Sequence, residues 1–333
     1  MSLINPVYFE KENIIRNKFD ASEALAEQAV HCLALVAQLV DAGLSFQFKG
    51  GNSLLLVLDK PLRFSIDVDI ATNESRERIE ACLDDIVHRH GLFLKWTRRQ
   101  HKTKPWLPLA SYFCFYRSHF VNENDAFVML DAQLTRSPYA TTFTAVRCGR
   151  LFASDSKVEI PLASSIIGDK LLTLGPETLG IPFGKGKDAQ RLKHVFDVSL
   201  LLRTEAPLNE IKKSFFACLE HENKLQEKAI PVVCVLADTL AYCESIRSMA
   251  YCGEPNDTMT VAQRENTVGF APFAGHLFSK NYTWDTLALD LARVAFVMAS
   301  VCTSKIEDGR FTDVLRQCGD NARSYWQAIK ELV

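Results

Sequence analysis

The chain has 333 residues, of which 47% are hydrophobic and 23% are charged, and its formal net charge is −2 at pH 7. This is the composition of an ordinary soluble globular protein that is large enough for two domains. The small net charge gives no overall sign of nucleic-acid binding, although it leaves room for a local basic surface.

The ten cysteines form no Cys-x-x-Cys pair and no zinc-binding spacing, and most of them lie in apolar runs. We interpret them as reduced core residues. Residues 1–18 lack the apolar core of a signal peptide, and no run of about 18 apolar residues is present. We also find no haem, zinc, flavin or membrane motif, and we therefore expect a cytoplasmic protein with no membrane partner.

The first half of the chain alternates helical and strand patterns. Apolar residues at helical spacing predict a helix over 21–43, and a second helix over 76–90 ends at Gly91. Strands are predicted at 44–48, 63–71, 92–97, 112–116, 127–134 and 144–152, with a loop at 102–108. Strands interleaved with helices predict a small mixed sheet.

The character of the sequence changes near residue 160. Period-two alternation nearly disappears, and helical patterns follow at 163–174, 188–202, 208–225, 232–251, 284–303 and 311–332. We therefore predict an α+β protein with a mixed-sheet domain over 1–160 and an all-helical domain over 161–333.

The most informative stretch is Phe46-Gln-Phe-Lys-Gly-Gly-Asn-Ser53. A short apolar strand leads into the glycine pair Gly50 and Gly51, and a helical turn follows. Adjacent glycines between a strand and a helix allow the backbone to approach a phosphate closely, because the helix N-terminus offers N–H groups and partial positive charge.

A second strand carries Asp67 and Asp69. Side chains alternate along a strand, so both carboxylates point to one face, with Cα atoms about 7 Å apart. Paired carboxylates repel each other and are costly to bury alone, and they commonly face water or a metal ion. A phosphate held beside carboxylate-bound Mg²⁺ is the simplest interpretation.

Lys49-Gly50-Gly51, then Arg63-Phe-Ser65 and Asp67-x-Asp69, resemble the first motif of the AbiEii toxin family of nucleotidyltransferases, in the DNA polymerase β-like superfamily. The resemblance covers roughly residues 44–203. It implies a third carboxylate on a strand beside the Asp-x-Asp strand. Asp131, in an otherwise apolar strand, is the candidate, and Asp125 is its rival; a strand residue at a solvent edge is the non-catalytic interpretation.

Two helical segments extend the resemblance. Lys170 takes the place of the lysine that ends the family's downstream helix, and the segment 184–200 resembles its final motif. Lys193 and Asp197 stand at i and i+4 there, so they share a helix face and can pair. They would help to bind the nucleotide, or would form only a surface salt bridge. The loop Gly184-Lys-Gly-Lys187 is interpreted as solvated.

The resemblance implies transfer of a nucleotide from an NTP to an acceptor, with RNA such as tRNA expected, by a toxin linked to phage defence. A cognate antitoxin would be the protein partner of such a toxin. The predicted catalytic residues are Asp67, Asp69, Asp131 and Lys170. The three aspartates would hold Mg²⁺, and Asp131 would bind the second ion or deprotonate the acceptor. Lys170 and Lys193 would neutralise the negative charge that develops on the leaving pyrophosphate. The predicted nucleotide-binding residues are Gly50, Gly51, Asn52, Ser53, Arg63, Ser65, Lys193 and Asp197.

The chain departs from the family pattern at Asn52, where Thr or Ser is common, at Ile66, where an acidic residue is common, and at His194, where Asp is common. Only the last departure weakens a motif. Residues 204–333 match nothing residue by residue.

Two alternatives remain open. The first is a small-molecule nucleotidyltransferase, which would share these residues and differ in its acceptor site. A basic run from Lys95 to Lys104, with Trp96 within it and Trp106 after it, favours a nucleic-acid acceptor. The second is a non-catalytic interaction protein on the same fold, and the acidic pair and glycine pair argue against it.

Overall fold

The computed structural model describes residues 4–58, 62–99, 108–122, 126–247, 249, 254–279 and 281–333. The chain forms two compact units, Met1–Ser137 with Thr141–Pro161, and Pro138–Ala140 with Leu162–Val333. The first unit contains a mixed sheet and the second is helical, so the predicted α+β class is confirmed.

The described part of the first unit contains four α-helices and seven strands. The helices are α1 (Lys11–Asn17), α2 (Glu23–Asp41), α3 (Gly50–Val57) and α4 (Arg76–His90), after a 3-10 turn at Pro6–Phe9. The strands are β1 (Gln47–Lys49), β2 (Asp67–Ala71), β3 (Phe93–Arg99), β4 (Leu109–Tyr116), β5 (Phe127–Gln133), β6 (Thr141–Cys148) and β7 (Phe152–Pro161).

The strand order is β3-β4-β5-β2-β1-β7-β6. The β2–β5 and β1–β7 pairs are parallel and the other pairs are antiparallel. Alternation along the central strands turns Val68, Ile70, Leu130 and Ala132 to the buried face. Helices α2 and α4 belong to the first unit, and α2 packs against β2, β5, β6 and β7.

Helix α2 is the one helix in the described chain that is long and apolar enough to cross a membrane by length and composition. In this fold 72% of its apolar window is buried inside the protein. Ser22 caps its N-terminus by accepting a hydrogen bond from the Leu25 backbone N–H. Its apolar character is therefore explained by its position in the core of the first unit.

The described part of the second unit contains eight α-helices. They are α5 (Ala163–Leu172), α6 (Asp188–Leu201), α7 (Leu208–Leu225), α8 (Val232–Arg247), α9 (Val261–Ala274), α10 (Trp284–Val301), α11 (Asp308–Cys318) and α12 (Ala322–Leu332), with a 3-10 turn at Leu202–Thr204. Helix α10 is central, because it contacts α6, α7, α8 and α12. Thirteen of its residues are buried, from Trp284 to Val301.

Two predicted elements are wrong. The single strand over 144–152 is a hairpin, in which β6 turns at Gly149 (φ 52°) into β7. The single helix over 311–332 is two helices, because Gly319 adopts φ 50° and Asn321 then caps α12 with its side chain. Helices α1 and α9 were not predicted. The loop at 102–108 lies mostly outside the described residues, as do Asp125 and the end of the helix predicted over 232–251.

Candidate active site

Four neighbouring strands contribute one polar residue each to a single row across the sheet. Lys49 on β1 lies opposite Asp69 on β2, Asp69 opposite Asp131 on β5, and Asp131 opposite Ser111 on β4. Residues opposite each other on paired strands point to the same face, with strands about 4.8 Å apart. Asp67 shares this face because it stands two positions before Asp69. We call it the carboxylate face.

Hydrogen bonds tie the row to its neighbours. The Ser111 hydroxyl donates to Asp131 Oδ1 through a short contact. Lys49 Nζ donates to Gln133 Oε1 at 2.8 Å and to Ser137 Oγ at 3.4 Å. Gln133 shares the carboxylate face because it lies two positions after Asp131 on β5. The carboxylates therefore lie among fixed polar side chains.

Gly50 is required by two features of its surroundings. Its φ is 73°, a left-handed conformation that other residues adopt at a cost, and a Cβ placed there would overlap the Asp69 carboxylate. Gly50 is also the first residue of α3. The N-terminus of a helix carries partial positive charge, so this arrangement brings favourable charge beside Asp69.

Gly51 is packed against the Arg63-Phe-Ser65 motif. A Cβ at Gly51 would lie 2.8 Å from Arg63 Nη2 and 2.9 Å from Ser65 Oγ. Arg63 is only 6% exposed, and its Nη1 donates to the Phe64 carbonyl at 3.3 Å. The glycine pair and the Arg63–Ser65 motif, distant in sequence, therefore form one surface.

Asn52 and Ser53 are fully buried. Asn52 Nδ2 donates to the Asp67 carbonyl at 3.4 Å, and the Ser53 hydroxyl donates to the Gly50 carbonyl at 2.9 Å. Both side chains thus support the backbone that presents the glycines and Asp67. Their direct contact with a nucleotide stays a prediction that this burial does not favour.

A cleft of about 210 Å³ opens along the polar row. Its lining includes Lys49, Asp69, Ser111, Asp131 and Gln133. Two of the three predicted carboxylates, the Lys49 ammonium and the Ser111 hydroxyl therefore line the same cleft.

The donor set suits a hard cation such as Mg²⁺. Across the described residues, no three His, Cys, Asp or Glu side chains converge closely enough to form a ready-made metal cage. Mg²⁺ in nucleotide-dependent enzymes is held by one or two carboxylates together with substrate phosphates and water. Asp67, Asp69 and Asp131, on one face beside a helix N-terminus, fit that manner of binding.

The second unit contains the other predicted residues. Lys170 on α5 and Asp197 on α6 form an ion pair, with Nζ and Oδ2 at 3.0 Å and side chains 7% and 0% exposed. Lys193 lies one turn before Asp197 and is partly exposed. The structure joins Asp197 to Lys170 on α5, so we interpret Asp197 as holding the Lys170 ammonium. The predicted pairing of Asp197 with Lys193 and its contact with a nucleotide stay predictions.

The second unit also contains a cleft of about 200 Å³, lined in part by Arg203, Arg293 and Arg316. Its charges are largely compensated within the unit. Arg316 pairs with Glu205 at 2.9 Å, and Arg293 pairs with Asp290 at 3.4 Å and with an exposed aspartate. We therefore interpret Arg293 and Arg316 of this cleft as members of structural ion pairs within the second unit.

A family model described as "Nucleotidyl transferase AbiEii toxin, Type IV TA system" matches residues 33–283. The chain belongs to this family. It is accordingly a nucleotidyltransferase toxin of a type IV toxin–antitoxin system, and the family expected from the first motif is confirmed. The match includes every residue assigned to the site from the sequence.

Among solved structures, the chain resembles MenT4, a nucleotidyltransferase toxin from Mycobacterium tuberculosis H37Rv, with a TM-score of 0.58 and 12% sequence identity. The likeness covers 97% of this chain and 99% of that chain. At this identity the comparison supports the fold. A comparison with curated proteins finds no match.

The sequence did not assign three residues of the candidate site. Lys49 was part of the glycine motif but had no role, and Ser111 and Gln133 were given none. Ser111 lies on β4, in a strand with no motif of its own. Only its pairing opposite Asp131 brings it to the site, and one sequence contains no signal for that pairing.

Proposed function

We propose that this AbiEii protein transfers a nucleotide from an NTP to a hydroxyl group of an RNA acceptor, such as a tRNA, with Mg²⁺ as cofactor. The observation that supports this most directly is the alignment of Asp69 and Asp131 on paired parallel strands, with Asp67 on the same face and the α3 N-terminus beside them.

The proposed reaction is a single displacement. The acceptor hydroxyl oxygen forms a bond to the α-phosphorus, and the bond from that phosphorus to the bridging oxygen of pyrophosphate breaks. The hydroxyl proton passes to the Asp131 carboxylate or to water, and pyrophosphate leaves. Ser111 donates to Asp131 Oδ1, so it fixes the orientation of this carboxylate.

Asp67, Asp69 and Asp131 would hold the metal together with the phosphates. When bound, Mg²⁺ neutralises phosphate charge and lowers the pKa of the attacking hydroxyl. The α3 N–H groups at Gly50 and Gly51, with Arg63 and Ser65 beside them, would bind phosphate oxygens. Their donors are already fixed in place, so little reorganisation is needed as charge develops.

The proposal retains the prediction that Lys170 and Lys193 neutralise charge on the leaving pyrophosphate. Lys170 is held by Asp197 in a buried pair, which restricts the rotamers of its long side chain. Asp197 would act as a positioning residue. We further propose a cytoplasmic location, a cognate antitoxin and a role in phage defence, which agree with the family's type IV toxin–antitoxin context.

The test uses purified wild type and the Asp67→Ala, Asp69→Ala double variant with each α-labelled NTP, Mg²⁺ and total tRNA. We expect wild type alone to label RNA, with at least about a hundredfold loss in the variant, because the metal site is removed. Binding of NTP with labelling of a small molecule in place of RNA would contradict the RNA acceptor. Failure to bind any NTP would contradict the enzyme assignment of the site.

A further inference from the structure

An aromatic patch lies on the first unit beside the carboxylates. It consists of Phe113 and Phe115 on β4 and Phe127 on β5, all partly exposed. The ring centroids of Phe113 and Phe127 are 4.9 Å apart, and those of Phe115 and Phe127 are 5.9 Å apart, both edge to face. Aromatic rings that pack edge to face hold one another in place, and these partly exposed rings therefore form a fixed apolar surface.

Strand pairing places the aromatic patch on the carboxylate face. Phe113 lies opposite Met129, and Met129 lies opposite Asp67. Phe113 is therefore in the same row as Asp67, two strands and about 10 Å away. It is also a diagonal neighbour of Asp131. The patch thus continues directly from the proposed reaction centre toward the β3 edge of the sheet.

Two cations border the aromatic patch on β3. Lys95 lies opposite Phe115, with Nζ 4.9 Å from the centre of that ring. Arg99 lies opposite Ser111, with Nη1 3.4 Å from Met129 Sδ. Both cations are exposed and share the carboxylate face. Aromatic faces and positive charge are thus combined in one surface.

The alternate residues of β3 point the other way and correct the sequence-based interpretation. Trp96 donates from Nε1 to Asp84 Oδ1 at 2.8 Å and packs edge to face on Tyr112. Arg98 pairs with Glu80 at 3.8 Å. Trp96 is therefore engaged with α4 and is not placed to stack on a base beside the carboxylates.

We propose that the aromatic patch, with Lys95 and Arg99, binds the unpaired terminal nucleotides of the RNA acceptor. The bases stack on Phe113 and Phe115, and the two cations pair with the phosphates. The terminal hydroxyl then faces Asp67 and Asp131. This inference rests on the proposed nucleotidyltransferase function and identifies where its acceptor binds.

The chemistry favours single-stranded RNA over a duplex. A base in a duplex is already stacked on both sides and offers no free face to a phenyl ring, whereas an unpaired end does. Stacking of one base on an aromatic side chain changes affinity by about 5- to 150-fold. Lys95 and Arg99 add a salt-dependent attraction to the backbone.

The first experiment measures binding of a short single-stranded RNA that has 2-aminopurine at its terminal position. We expect wild type to quench the fluorophore, and Phe113→Leu and Phe115→Leu to lose quenching and to weaken Kd by at least about 5-fold. Leucine retains apolar volume but lacks the ring. Phe143→Leu is the matched control, because Phe143 is a 66% exposed phenylalanine on β6 of the same sheet.

Lys95→Gln and Arg99→Gln test the charges. Each is expected to lower the slope of log Kd against log salt by about 0.7, as for one lost phosphate contact with a single strand. A blunt-ended duplex of the same sequence should bind more weakly than the single strand and should respond little to Phe113→Leu.

The second experiment measures KM for labelled transfer. The Phe113→Leu variant should raise KM for RNA and leave KM for NTP unchanged, since we assign this ring to the RNA acceptor and not to the nucleotide donor. If wild type labels RNA and both phenylalanine variants keep the same Kd and KM for RNA, the assignment of the aromatic patch to the acceptor is wrong, while the proposed nucleotidyltransferase function stands. NTP binding with no RNA binding, or labelling of small molecules only, would overturn the inference and the proposed acceptor together.

Discussion

At the scale of single residues, the candidate site depends on positions where only one residue type fits. Gly50 has a left-handed backbone, and a Cβ at this position would overlap the Asp69 carboxylate. Gly91 also has a left-handed backbone, φ 63°, but a Cβ there would meet nothing within 4 Å. Substitutions at the two glycines can therefore be compared. Both would carry the free-energy cost of a left-handed backbone, and only the one at Gly50 would also crowd a carboxylate.

We predict that Gly91→Ala lowers the free energy of unfolding by about 1–2 kcal/mol, the cost of left-handed backbone, and retains activity. Gly50→Ala should show this cost and also displace Asp69, with a loss of at least about a hundredfold in kcat. Chemical denaturation and labelled transfer measure the two effects. Equal activity of the two variants would show that the Asp69 position is not critical.

At the scale of elements, the ion pair of Lys170 and Asp197 joins α5 to α6 inside the second unit. A buried pair stabilises less than its short distance suggests, because both charges lose their hydration. Removing one partner is much more costly, since the remaining charge stays buried. We therefore interpret the main role of the pair as holding the Lys170 ammonium in a fixed position.

We predict that Lys170→Met lowers the free energy of unfolding by about 3–5 kcal/mol, because the buried Asp197 carboxylate loses the Lys170 ammonium. The Lys170→Met, Asp197→Leu double variant should recover most of that stability. Both variants should remain inactive in transfer, because the ammonium is absent. Recovery of activity together with stability in the double variant would assign the pair a structural role only.

At the scale of the whole molecule, each of the two units has its own buried core, so unfolding is best followed for each unit. In the first unit, His31 on α2 is stacked on Tyr116 of β4 with ring centroids 3.7 Å apart. Its Nδ1 donates to the Glu27 carbonyl at 2.8 Å. Burial lowers the pKa of His31 from 6.5 to about 4, despite this hydrogen bond.

The depressed pKa makes the first unit sensitive to acid. Between pH 6.5 and about 4 the unfolded chain binds a proton at His31 that the folded chain does not, so stability falls as pH falls. We predict a loss of about 2 kcal/mol from this group between about pH 7 and about pH 5. Urea denaturation of wild type and His31→Phe at both pH values measures it, and an equal pH dependence in the two proteins would contradict it.

The sequence alone determined the chemistry and much of the element order. Local signals are sufficient there, because helical periodicity, the glycine pair, Arg63-Phe-Ser65 and Asp67-x-Asp69 each lie within one short segment. The first motif predicted a nucleotidyltransferase of the AbiEii family, and the family match confirms that. The two errors arose where a single glycine interrupts an apolar pattern that is continuous in the sequence. Gly149 turns β6 into β7, and Gly319 ends α11.

Only the tertiary structure decided which distant side chains meet. Register places Ser111 and Asp131 opposite each other, turns Phe113 toward the carboxylates and turns Trp96 away from them. It also pairs Asp197 with Lys170 on another helix. A shift of one residue in strand pairing moves every side chain to the opposite face, and one sequence does not encode that register locally.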